Sequence, residues 1–222
     1  MPSRTLRYTI VDAFTQSSFR GNPAAVVVFN DPADQLPDAA LQLIAREFNL
    51  SETAFVTRTS DPSVYRLCWF TPTTEVTLCG HATLASAHVV FTQLLSPKSS
   101  PHDTDVDTGN HSDSERIITF QTRKGAGDVS VRQHSGLNAG RLELIFPAGV
   151  VVTPEDALVK HVRSVVAAAL PGAPHDLVKD VAICTGTMYT DFVLIHVDDE
   201  LDLSSADIQP AQFVCNLAWE QP

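Results

Sequence analysis

Four cysteines in 222 residues are too few for a disulfide scaffold, and Cys68, Cys79, Cys184 and Cys215 include no C-x-x-C pair. Neither a stapled mini-domain nor a zinc ribbon is encoded, and the expected state of each is a buried free thiol. No apolar run approaches the ~18 residues of a membrane-spanning helix. The stretch MPSRTLRYTIVDAF lacks the charged, apolar and small-residue succession of a secretory signal. A cytoplasmic protein without a membrane partner is expected. Basic residues are scarce too: 15 Lys and Arg stand against 26 Asp and Glu, a formal charge of −11, which excludes the basic footprint of a nucleic-acid binder. No G-x-S-x-G elbow occurs. KGAGDVSV carries Gly125-x-Gly127 without a third glycine and leads into an alternating strand, so it reads as a hairpin turn and not a dinucleotide loop. DTDVDTG, residues 103 to 109, has Gly109 one place late for a calcium loop and Ser114 where that loop needs an acid.

What is present is a mixture of strand and helix patterns. TLRYTIVDAF and AAVVVF, joined by the turn signal RGNP, read as two strands. In LPDAALQLIAREFN, Pro37 and Asp38 suit a first helical turn, Leu41, Ile44 and Phe48 recur at helical spacing, and Asn49 is placed to stop the helix. Strands follow at TAFVTRT and VYRLCWFTP, then a helix in LCGHATLASAHVVFTQLL with Leu84, Ala87, Val90, Phe91 and Leu94 on its apolar face. Residues 96 to 115 hold no large apolar residue except Val106 and read as a polar linker. Strands at RIITFQT, GDVSVRQ and GRLELIFP, a helix near 155 to 169, and strands at DLVKDVAICTG and TDFVLIHVD complete the pattern. The expectation is an α+β protein with domains at 1–95 and 116–222 flanking the linker.

Two short stretches carry candidate chemistry. NLSETAFV places Glu52 directly before an apolar strand. Asn49-x-x-Glu52 fits a capping box, but the β-branched, alternating residues that follow argue against a helix start. In an apolar pocket a carboxylate of this kind titrates nearer neutrality and can both take and return a proton; a surface or strand-end carboxylate is the competing reading. CGHAT, 79 to 83, ends a strand and opens a small-residue helix. Its first free N–H groups, from Gly80 through Ala82, form a geometry suited to a carboxylate; a tight turn capped by His81 is the alternative. His81 and His88 lie seven residues apart, but neighbouring acids supply no recognised zinc spacing, so no metal is expected.

The ordered series VDAFT, GNPAAVV, IAREFNLSETAFV and WFTPTTEVTLCGHATLASAHVV, with looser matches at RLELIFP and TDFVLIHVD, resembles the PhzF-like (phenazine biosynthesis) family from about residue 8 to 210. The resemblance implies a diaminopimelate-epimerase-like fold of two similar α+β domains, each wrapping a sheet around a central helix, with the site in the cleft between them. It implies a cofactor-independent and metal-independent isomerase, the family's named reaction being isomerisation of trans-2,3-dihydro-3-hydroxyanthranilic acid, and a homodimer. Residue by residue, it implies Glu52 as acid/base and Asn22, Ser51, Gly80, His81 and Ala82 at the substrate, a small carboxylate-bearing metabolite. Family members continue into a segment resembling Glu-Asp-Pro-x-Thr-Gly-Ser-Ala-His, which this chain ends before reaching, so an incomplete second domain and impaired turnover are expected. Two other readings stay open: a racemase or epimerase using Cys79, by likeness to related enzymes with a thiol before a glycine at this helix start, and a non-catalytic binding or interaction protein.

Overall fold

The structure is a computed structural model that describes residues 5–95, 115–124, 127–146, 149–174, 176–185, 193–202 and 206–216. The chain divides after residue 147 into two compact units. The first contains β1 (Tyr8–Ala13), β2 (Asn22–Phe29), α1 (Asp38–Phe48), β3 (Glu52–Arg58), β4 (Val64–Phe70), β5 (Glu75–Val76), α2 (Gly80–Val89), β6 (Arg116–Thr122), β7 (Asp128–Gln133) and β8 (Leu142–Ile145). Its sheet runs in the order β1-β2-β3-β4-β6-β7-β8, with β5 paired to β4.

Local chemistry explains the boundaries. Gly21 is required at the end of the β1–β2 loop because a Cβ there would lie 2.3 Å from the Ala13 carbonyl oxygen, and the loop of residues 14–21 delivers Asn22 opposite Ala13 in register. The helix α1 has Pro37 at its N-cap and ends on Asn49 in the left-handed conformation, φ 51°, a conformation asparagine tolerates better than most residues. It crosses from β2 to the parallel β3 and buries Leu41 and Ala45 against Val27, Phe29, Phe55, Cys68 and Phe70. These residues occupy one face of β2, β3 and β4. By strand alternation Ala24, Val26, Ala54, Val56, Leu67 and Trp69 occupy the other.

That second face curls around α2, which packs against β1, β2, β3 and β8. Contact with strands from both ends of the sheet requires small side chains. Ala82, Thr83, Ala85, Ser86, Ala87 and Val89 are all buried, and the two hydroxyls among them donate to the carbonyls of Cys79 and Ala82, four residues back, so burial leaves neither unsatisfied. Leu84, expected on the apolar face, is only half-buried. A sheet wrapped around a central helix is the architecture the family resemblance implies.

The expected second domain began at 116, yet β6 to β8 join the first sheet. β6 pairs in parallel with β4, Val64 opposite Thr119, and Arg123 at its end binds Asp38 of α1 and Glu75 of β5 at 2.6 and 2.9 Å. The register of β4 with β6 is a long-range property that local pattern does not carry. The polar stretch 96–114, including the calcium-like DTDVDTG, lies outside the described residues. Gly125 also lies outside them, while the flanking β6 and β7 form the expected antiparallel hairpin.

The second unit contains β9 (Val150–Val152), α3 (Asp156–Ala169), β10 (Val178–Thr185), β11 (Val193–Val197) and α4 (Ala211–Asn216). Its antiparallel sheet has the order β11-β10-β9. Val162, Val166 and Leu170 pack with Leu177, Val178 and Val181 to form its core, and Phe213 of α4 packs against that cluster. β9, three valines, is too short to read in the sequence.

Candidate functional site

Glu52 opens β3, pairing with Ala24 of β2. Asn22 lies two positions earlier on β2, so alternation puts it on the same face and end of the sheet, with an exposed side chain. Glu52 also shares its face with Ala54, whose partner across β4 is Trp69. This end of the sheet meets the start of α2. Nε2 of His81 stands 3.2 Å from Oε2 of Glu52, and the two side chains are only 10% and 18% exposed. The same nitrogen is 3.2 Å from Oγ of Ser51, and Nδ1 is 3.3 Å from Sγ of Cys79. Four side chains from two sequence stretches thus form one chain: Cys79, His81, and the Ser51–Glu52 pair.

The Glu52–His81 contact has the distance of an ion pair but not the alignment of a hydrogen bond. Oε2 is buried and has no hydrogen-bond partner among the described residues. A buried carboxylate oxygen in that condition is costly, and such costs concentrate at sites that bind or react. Trp69, on the same face, likewise has a buried Nε1–H without a partner among the described residues. Sequence reading did not single out Trp69; the available signal was its position in VYRLCWF, which comes into phase with Glu52 only once β3 and β4 are paired.

The first turn of α2 supplies N–H groups from Gly80, His81 and Ala82, ahead of the first intrahelical bond from Thr83 N–H to the Cys79 carbonyl. A Cβ on Gly80 would meet nothing within 4 Å, so the glycine leaves the helix start open. Burial pushes the Cys79 thiol up to about 12; the nearby backbone N–H groups of Ala82 and His81 oppose this, and the Glu52 charge adds to it. The thiol is therefore protonated at ordinary pH and is a poor base.

Glu52, Cys79 and His81 offer three donor atoms within 4.8 Å of one another, a set that in composition would suit zinc. However, Glu52 addresses Nε2 and Cys79 addresses Nδ1. Sγ of Cys79 and a carboxylate oxygen of Glu52 lie within 4.8 Å of each other, each beside a different nitrogen of the ring. His88 is exposed on α2. With Leu84 and Ala85 it lines a separate cavity of about 940 Å³ bordered by β1, the 14–18 loop and residues 140–142, which includes none of the four side chains above. Cys68 and Cys184 are buried free thiols like Cys79. The side chain of Cys215 lies outside the described residues, and no described helix is long and apolar enough to cross a membrane.

Known proteins share the sequence pattern and the fold of this chain. The pattern of the phenazine biosynthesis-like protein family (PhzC-PhzF) matches residues 11–219. A protein of Pseudomonas aeruginosa named as an uncharacterized isomerase is 38% identical over 198 residues, covering 88% of this chain and 58% of its own length. Another so named, from Halalkalibacterium halodurans, is 46% identical over 139 residues, 63% of this chain and 42% of its own. The chain thus spans about half the length of these relatives. Among solved structures, a putative phenazine biosynthesis PhzC/PhzF protein from Clostridium difficile aligns with a TM-score of 0.59 and 28% identity, over 95% of this chain and 64% of that one. A PhzF-family protein from Enterococcus faecalis aligns with a TM-score of 0.56 and 28% identity, over 94% and 63%. With the family pattern matched over almost its whole length, this chain belongs to the phenazine biosynthesis-like protein family.

Proposed function

We propose that this chain carries the acid/base half of a cofactor-independent isomerase site, in which Glu52 moves a proton between two carbons of a small carboxylate-bearing metabolite. The observation that carries the reading is the buried Oε2 of Glu52, without a hydrogen-bond partner among the described residues, beside His81 at the open start of α2. Relatives named as isomerases support the reaction class. In the step envisaged, the Glu52 carboxylate takes a proton from a C–H bond whose electrons delocalise into the adjoining π system. The resulting carboxylic acid then returns that proton to a different carbon, leaving Glu52 ionised. The exchange is redox-neutral, so one carboxylate and a set of hydrogen-bond donors suffice. The N–H groups of Gly80, His81 and Ala82, with the side chains of Asn22 and Ser51, hold the substrate carboxylate and stabilise developing charge. The alternative in which Cys79 is the base requires a thiolate, which burial disfavours here. A dimeric, cytoplasmic protein belongs to the same proposal.

Incubation in deuterated water with a panel of dihydroaromatic acids and amino acids, followed by mass spectrometry, tests the reading. Exchange into at least one compound is expected, with Glu52→Gln reducing the rate by about 10² to 10⁴. A Glu52→Gln protein that exchanges as fast as its parent would refute the assignment. Ligand-induced thermal stabilisation without exchange at any pH would favour a binding protein instead.

A further inference from the structure

The contact between Cys79 and His81 has no part in the proton transfer just described, yet it is made by the ring nitrogen that Glu52 does not approach. A neutral imidazole carries one proton, on Nδ1 or on Nε2, and the partner of one nitrogen decides what the other offers. Here Nδ1 is 3.3 Å from Sγ of Cys79, and Nε2 is 3.2 Å from both Oγ of Ser51 and Oε2 of Glu52. A proton on Nδ1 would turn the Nε2 lone pair toward an ionised carboxylate, which is repulsive. A proton on Nε2 faces Ser51, lies beside the Glu52 carboxylate and leaves Nδ1 as an acceptor.

The sulfur is placed to supply the hydrogen that this acceptor needs. Burial keeps the thiol protonated, and Sγ accepts no capping hydrogen bond from the first turn of α2. Its own S–H is then what it has to give the ring. We infer that Cys79 is a positioning residue for His81: its S–H donates to Nδ1 and holds the neutral ring in the tautomer that carries its proton on Nε2, facing Ser51 and Glu52. The consequence for the reaction rests on the proton-transfer reading above, because His81 would then present a fixed N–H beside the carboxylate through each turnover. The tautomer itself does not depend on that reading.

The test is ¹⁵N NMR of the histidine rings in the full chain, with His81→Asn identifying the His81 signals. The wild type is expected to show Nδ1 as the unprotonated nitrogen of neutral His81. Cys79→Val, which keeps the bulk but has no donor, should shift the tautomer ratio toward Nδ1–H by about twofold to fivefold, the worth of one weak hydrogen bond. Cys79→Ser, which keeps a donor, should restore the wild-type ratio. Repeating the pair in a Glu52→Gln background removes the carboxylate's own bias and should enlarge the Cys79→Val shift. A His81 ring protonated on Nδ1 in the wild type, or an unchanged ratio in Cys79→Val in both backgrounds, overturns the inference. Should Cys79→Val fail to fold, Cys79→Ala in the same two backgrounds gives the same readout. On an exchanging substrate, kcat should fall by a similar factor in Cys79→Val with KM little changed, and Cys79→Ser should recover it. A wild type that exchanges nothing refutes the isomerase reading and leaves the tautomer result to stand or fall by itself.

Discussion

Replacing Gly80 with alanine should raise stability and lower activity together. A Cβ at this position meets no heavy atom within 4 Å, and Gly80 is not among the glycines held at positive φ. The alanine therefore enters the first turn of α2 without strain. Restricting the unfolded chain at a compatible position stabilises by about 0.4–1 kcal/mol. The same methyl group projects where a substrate carboxylate would approach the N–H groups of Gly80, His81 and Ala82. Losing one hydrogen bond to a charged group costs about 1.5–3 kcal/mol, which converts to a loss in kcat/KM on the order of tenfold to a hundredfold. Urea denaturation gives the first quantity, and solvent deuterium exchange on a reactive panel compound gives the second. Gly21→Ala is the contrasting control: its Cβ would sit 2.3 Å from the Ala13 oxygen and 2.7 Å from Thr15 Cγ2, so that variant must lose stability. A Gly80→Ala protein less stable than its parent would refute the packing, and one with full exchange activity would refute the siting of the carboxylate.

The buried thiols make a pH prediction whose sign follows from which form is charged. Burial raises Cys68 and Cys79 from the ordinary 9.0 to about 12, so the native state keeps protons that the unfolded chain has already lost above about pH 9. Stability should be level below pH 9 and fall as pH rises from 9 to 12, by up to about 1.4 kcal/mol per pH unit for each thiol. Denaturation across that window should show Cys68→Ala with a distinctly shallower decline than its parent, and equal slopes would count against the assignment. In the core beside α1, Leu41→Ala should cost about 2–5 kcal/mol, because Leu41 is fully buried among Val27, Phe29, Phe55 and Phe70. A loss below 1 kcal/mol in the first unit's transition would show that this cluster is not packed as described.

Much of the fold was legible because its boundaries carry their own chemistry. Pro37 and Asn49 bracket α1 as the sequence suggests, and alternation located β3, β4, β6 and β7 within a residue or two. Glu52 was placed correctly at a strand start because β-branched residues follow it where a capping box would need a helix. Two things were not legible. The parallel pairing of β4 with β6 joins segments separated by α2 and a polar stretch, and no local pattern encodes such a register, so the strands from 116 to 145 read as the start of another domain. The uncovered stripe of α2 was also hidden: a helix of small residues looks apolar all round, and only the curl of the sheet decides that Leu84 and His88 are the positions left partly open.

The site itself is a consequence of topology more than of either motif. Because β2 and β3 run in parallel, the crossover through α1 brings both strands back to begin at the same end of the sheet, and that end holds Asn22 and Glu52. β4 then runs antiparallel to β3, so it finishes at this end with Trp69 and Phe70, and only the short β5 separates it from α2. The chain therefore has to start α2 beside the point where β3 starts. The small side chains that let the sheet close around that helix bring its first turn within hydrogen-bonding distance of Ser51 and within ion-pair distance of Glu52. A carboxylate at a strand start and a histidine at a helix start, 29 residues apart, are each unremarkable in sequence. The fold gives them one location, leaves Oε2 of Glu52 without a hydrogen bond among the described residues, and so concentrates an electrostatic cost where a proton can be used.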